Sequence, residues 1–234
     1  EEEEGALGEE ALWHLGDPAK LESLELNVEG LRSVALLGRR CPALKVLSLN
    51  VNRLASTADL ARSTALVELS LKDNCLRALD GLKDLRHLAF LHLDVNQLRS
   101  LEAAAGCPAL RTLSAPTNAL RQVPRLGGGR CPRLQALELY HNKISAVPRG
   151  ALQGLGQLTS LNLGRNGLTE LDGEALSGCP ALLKLVLSQN ALAAPPAPLC
   201  LPVLRELWLS GNRLVALDAW APGFRRPGTA PGGS

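Results

Sequence analysis

Leucine returns at near-constant intervals through this chain, and that interval leaves few ways to fold it. The frame L-x-x-L-x-L-x-x-N-x-L recurs nine times, starting at Leu21, Leu44, Leu66, Leu88, Leu110, Leu134, Leu158, Leu182 and Leu204. Successive starts lie 23, 22, 22, 22, 24, 24, 24 and 22 residues apart. The asparagine of the frame is Asn52, Asn74, Asn96, Asn118, Asn142, Asn166, Asn190 and Asn212; only the first unit departs, with Glu29 in that place. A period of this length marks stacked copies of one small unit, since no single copy buries its apolar face alone. Leucines two apart, such as Leu91 and Leu93, share one side of an extended strand. Hydrophobic residues make up 46% of the chain but aromatics only 3%, so leucine fills the core. A buried asparagine amide in each unit must find partners, and the backbone of its own turn and of the neighbouring unit offers them.

These residues resemble the leucine-rich repeat family over roughly residues 21–218. The resemblance implies an α/β fold: a right-handed solenoid of nine repeats with a curved parallel β-sheet on its concave face. Between Leu76 and Leu88 leucine falls at every third position, which is similar to the 22-residue class typical of cytosolic proteins such as phosphatase-1 regulators. The 24-residue units, as at residues 147–152, look more like the class common outside cells. The stretch from Leu91 to Leu98 resembles the repeat region of leucine-rich repeat and IQ domain-containing proteins. That likeness implies a scaffold role in the cilium or cytoskeleton. No IQ motif is present, so calmodulin binding does not carry over.

The domain organisation expected is an acidic linker remnant and capping helix over residues 1–20, the repeat domain over 21–218, and a flexible Pro/Gly-rich tail over 219–234. Glu9 to Leu15 reads as the helix, ended by Gly16 and Pro18. Trp220 or Phe224 is placed to fold back over the last repeat. The absence of methionine suggests a segment of a longer protein. No apolar run reaches the ~18 residues that cross a bilayer, and the N-terminus lacks the basic-then-apolar order of a secretory signal. Cys41, Cys107, Cys131 and Cys179 each lie three residues before a first leucine and precede proline. Recurrence at one structural position is how buried free thiols behave; a bridge between Cys107 and Cys131, in adjacent units, is the alternative. Neither end carries paired cysteines and no Asn-x-Ser/Thr occurs, so a cytoplasmic location is expected.

No catalytic, cofactor or metal site is expected. Ser70, His92 and Asp94 include the residue types of a hydrolytic triad, but they fall on neighbouring strands of an open surface with no oxyanion hole. His92 and His141 lie two repeats apart, roughly 10 Å by strand spacing, too far to share a zinc bound at ~2 Å. The better signal is for docking. Of six aromatic residues, Phe90, Tyr140 and Trp208 fall on outward strand positions, and exposed rings dominate binding hot spots. With His92, Asp94, Glu138, His141 and Arg165 they make up the expected partner-binding set. Arg32, Arg53, Arg77, Arg99, Arg121 and Lys143 form a basic edge. Residues 1–10 hold six acidic and no basic groups, leaving 25 basic against 17 acidic residues beyond them, a net of +8. Such a field attracts acidic segments. No aromatics interleave with these arginines, so nucleic acid is not an expected partner. The expected function is a non-catalytic intracellular protein-interaction module or scaffold binding on its concave face. The alternatives are a regulatory subunit of an enzyme such as a phosphatase and an extracellular ligand-binding ectodomain. Oligomeric state is open, because an exposed end repeat offers a surface to a second copy.

Overall fold

The computed structural model describes residues 5–8, 12, 17–197 and 199–215. Each frame places one three-residue strand: β1 (Ser23–Glu25), β2 (Val46–Ser48), β3 (Glu68–Ser70), β4 (Phe90–His92), β5 (Thr112–Ser114), β6 (Ala136–Glu138), β7 (Ser160–Asn162), β8 (Lys184–Val186) and β9 (Glu206–Trp208). They form one open, curved, parallel sheet in sequence order. The register brings equivalent leucines together without a slip, from Leu24 beside Leu47 through to Leu185 beside Leu207. A one-residue slip would turn this column out to solvent, so burial of leucine alone sets the pairing. Leu47 to Leu185 in the column are completely buried, whereas Leu207 on the last strand is only partly covered.

The back of the array is closed by short turns and isolated bridges. In the 22-residue units Leu76, Leu79, Leu82, Leu85 and Leu88 are all buried, and short 3-10 turns run over Ala58–Arg62, Leu82–Asp84 and Glu102–Gly106. Three residues per turn suit a leucine every third position. The first unit instead closes its back with a single α-helical turn, α1 (Leu37–Arg40). In the longer units a 3-10 turn runs over Gly173–Leu176, and isolated parallel bridges join Gln122 to Ala146 and Asp172 to Ala197, the last in the 22-residue unit that follows. The glycine run after Leu126 docks there: Gly127 N–H donates to Ala151 O and Gly128 N–H to Gln153 O, both at 2.8 Å. A Cβ on Gly127 would stand 2.5 Å from Gln153 O, so only glycine allows this contact.

The asparagine ladder is complete from Asn52 to Asn212. Asn142 is typical: Oδ1 accepts from Leu120 N–H at 3.1 Å, and Nδ2 donates to Ala115 O at 3.0 Å and Leu139 O at 3.1 Å. Each amide thus joins its own turn to the preceding one. The residue before it always has a left-handed backbone: Val51, Asp73, Val95, Thr117, His141, Arg165 and Gln189 have φ between 52° and 57°, the ninth unit uses Gly211, and Val28, before Glu29 in the first unit, has φ 64°. For β-branched residues this costs roughly 1–2 kcal/mol each, and the asparagine amides beside them hold the turn closed. Sequence reading did not anticipate this.

All six cysteines are free, which settles the Cys107–Cys131 alternative in favour of thiols. Cys107 Sγ donates to Leu82 O at 3.3 Å, Cys131 to Ala104 O at 3.7 Å and Cys179 to Leu152 O at 3.7 Å. Burial pushes Cys107 and Cys179 up to about 12 and Cys131 to about 11. At the equivalent position of the second unit stands Ser63, whose Oγ is the one buried side-chain N or O atom without a hydrogen-bond partner among the described residues. At the ends, Leu12 is buried and joins the core. The rest of the expected capping-helix segment 9–15, and Trp220 and Phe224 in the tail, lie outside the described residues. No helix among the described residues is long and apolar enough to cross a membrane.

Candidate docking surface

Side chains between and after the paired leucines point away from the core and pave the concave face. Over β1 to β5 this paving is bonded to itself. Ser48 Oγ donates to Asn27 Oδ1 at 2.8 Å and Ser70 Oγ to Asn50 Oδ1 at 2.7 Å. The same asparagine oxygens accept the backbone N–H groups of Asn50 and Lys72. Farther along, Asp94 replaces asparagine: Ser114 Oγ donates to Asp94 Oδ1 at 2.5 Å, and Lys72 Nζ lies 3.2 Å from its Oδ2. These bonds explain the recurring serines and dismantle the triad geometry. Ser70 donates to Asn50 rather than to His92, and Asp94 is engaged by Ser114 and Lys72. Burial, then the nearby Lys72 charge, lower the His92 pKa against the opposing pull of Asp94 and Glu68, so its imidazole is neutral at pH 7.

From β6 onward the paving changes. Tyr140 is 36% exposed and Trp208 51%. The Tyr140 ring meets His141 edge-on, with centroids 6.0 Å apart, and His141 Nδ1 lies 3.5 Å from Thr117 Oγ1. In the following unit, just beyond β7, Gly164 keeps the ring accessible: a Cβ there would come within 3.3 Å of Tyr140 Cδ2. Arg165, the neighbour of His141 in the following unit, is exposed. Glu138 accepts from Ser160 Oγ at 3.2 Å. Glu138, Tyr140, His141 and Arg165 therefore form one local group. Trp208 lies three strands away, roughly 14 Å by strand spacing, with Lys184 Nζ 4.7 Å above its ring and paired at 3.2 Å with Glu206.

Phe90 does not join these rings. It lies at the start of β4 and lines an open groove of about 720 Å³ along the N-terminal edge of the sheet, with Lys45, Val67, His87, Ala89, Arg111 and Arg133 among its walls. Sequence reading missed Arg111 and Arg133. The signal was present in the residue after each first leucine (Lys45, Arg111) and the residue before it (His87, Arg133), positions that a scan of the strands alone passes over. The expected basic edge lies at the opposite end of the strands. Its six residues are all exposed and, among the described residues, none is ion-paired. Arg77 Nε donates to Gln97 at 3.2 Å, and these two with Arg99 and Ala119 border a shallow depression of about 560 Å³. No cluster of three or more potential metal ligands occurs among the described residues.

A family model described as leucine rich repeat matches residues 108–168, 132–192 and 157–214. No curated protein matches the sequence. Among solved structures, an internalin (InlF) from Listeria monocytogenes is 24% identical, with a TM-score of 0.76 over 88% of this chain and 59% of its own. A chain of the Drosophila Toll–Spatzle complex is 28% identical, with a TM-score of 0.74 over 82% of this chain and 27% of its own. The functional domain of InlJ from Listeria monocytogenes, which includes a cysteine ladder, is 25% identical, with a TM-score of 0.68 over 86% and 42%. The chain thus spans less than two thirds of each of these structures. Repeat frame, strand register, asparagine ladder and structural likeness agree that the chain has the leucine-rich repeat solenoid fold.

Proposed function

We infer that the array is a non-catalytic docking module whose concave face binds a protein partner over β6 to β9. Leucine-rich repeat proteins generally bind protein partners, and solenoids present extended concave surfaces for the purpose. The observation that carries the reading here is the exposure of Tyr140 and Trp208 on a face otherwise paved by small, mutually bonded polar groups. Glu138, His141 and Arg165 frame Tyr140 and supply polar selectivity around an aromatic anchor, the usual anatomy of a hot spot. Phe90, His92 and Asp94 contribute less to this surface, because two of them sit in the bonded half and Phe90 faces the groove. The unbridged cysteines support a cytoplasmic location. The resemblance around residues 91–98 adds a scaffold role, in the cilium or cytoskeleton, to the same proposal.

The test is affinity capture from a cell lysate with the wild type and a Tyr140→Ala, Trp208→Ala variant, both checked for folding by circular dichroism. A partner held by the wild type and lost by the variant is the expected result. Recovery of the same proteins by both would place binding elsewhere.

A further inference from the structure

The groove beside Phe90 combines an apolar floor with two arginines, Arg111 and Arg133, that have no ion-pair partner among the described residues. Ala65, Val67, Ala89 and Ala109 line its base, and Phe90 closes one side half-buried. At the β5–β6 end stand Arg111 and Arg133, both exposed and, among the described residues, with no side-chain hydrogen bond or ion pair. At the other end the charge is balanced: Lys45 pairs with Glu22 at 2.8 Å, and Glu68 stands beside Phe90 in register. The groove is therefore polar in the directional sense, neutral toward β2 and cationic toward β6. From Lys45 to Arg133 it crosses four strand spacings, roughly 19 Å, the length of about six extended residues.

The geometry points to a specific occupant: a short extended acidic segment of a partner protein, with an aliphatic side chain on the alanine floor against Phe90 and its carboxylates on Arg111 and Arg133. Arginine suits this role because its planar fork grips a carboxylate by two parallel hydrogen bonds. A nucleic acid strand would find the charge but only one ring on which to stack, where single-strand sites offer several. The assignment rests on the reading of the array as a protein-binding module, but it uses a different surface from Tyr140 and Trp208.

Fluorescence anisotropy with a labelled peptide of about eight residues, alternating glutamate and leucine, tests it. The wild type binds this peptide. Arg111→Glu with Arg133→Glu weakens binding by ~10-fold or more, while Arg77→Glu with Arg99→Glu on the opposite edge changes it by less than ~2-fold. Phe90→Ala weakens it several-fold, and Tyr140→Ala with Trp208→Ala leaves it unchanged, so failure of the groove and failure of the concave docking face are read separately. Arg111→Gln with Arg133→Gln, matched to wild type in urea midpoint, guards against a folding effect of charge reversal. The assignment is overturned by absence of binding at ~1 mM peptide, by equal losses from the two arginine pairs, or by equal affinity for an all-glutamate peptide or an oligothymidine of the same charge.

Discussion

The two halves of this solenoid share an interior but not a face. From β1 to β5 each concave serine or asparagine bonds to its neighbour, and even the Asp94 carboxylate is held by Ser114 and Lys72. From β6 to β9 bonded pairs persist at Ser160–Glu138 and Ser210–Ser188, but the outward positions also carry Tyr140, Gly164 and Trp208, and two rings stand uncovered. Beneath both runs the same leucine column and the same asparagine ladder. The contrast teaches how to read a repeat surface: side chains that conform to the local bonding pattern belong to the fold, and those that depart from it are free to serve a partner.

The largest effect should ignore the division. Asn74→Ala in the first half and Asn166→Ala in the second each remove an amide serving backbone groups of two turns, and each should cost about 3 kcal/mol in urea unfolding. A loss in one half alone would break the common interior. Next, thiol labelling at pH 8 should find Cys200 and Cys75 reactive, and Cys41, Cys107, Cys131 and Cys179 protected until unfolding. The folded Cys107 thiol keeps its proton to about 12 against an ordinary 9.0. Unfolding therefore releases protons in that window, and stability should fall as pH rises from 9 toward 12. Ser63→Cys should stabilise by about 1 kcal/mol, because a thiol tolerates a site where the hydroxyl finds no acceptor. Ser70→Ala should lose about 1 kcal/mol without affecting any partner. Smallest is Val51→Gly: relief of the left-handed strain, partly offset by unfolded-chain entropy, should leave a gain of about 0.5 kcal/mol in the same titration.

Much of the interior was legible because leucine burial and asparagine satisfaction act through spacing, and spacing is written in the chain. The positions of Leu24 to Leu207 and the partners of each asparagine follow from the frame alone. The left-handed turn at Val51 and Val95 was not legible, since local preference argues against β-branched residues there and the neighbouring amide overrides it. The surface was only half legible. Outward positions for Phe90, Tyr140 and Trp208 could be read, but grouping them into one strip ignored that Phe90 lies at the opening end of its strand and Tyr140 beyond the closing end of its own. Arg111 and Arg133 escaped notice because they flank the strands, and only stacking brings them to one groove.

The central claim is that the bonded half of the concave face serves the fold and the open half serves a partner. The most direct measurement pairs two variants in one capture experiment, Ser48→Ala with Ser70→Ala and Ser114→Ala against Tyr140→Ala with Arg165→Ala and Trp208→Ala, each also titrated with urea. The account predicts that the serine variant unfolds earlier yet retains the wild-type partners, and that the second variant keeps its stability and loses them. Loss of partners by the serine variant while folded, with retention by the second, would contradict it.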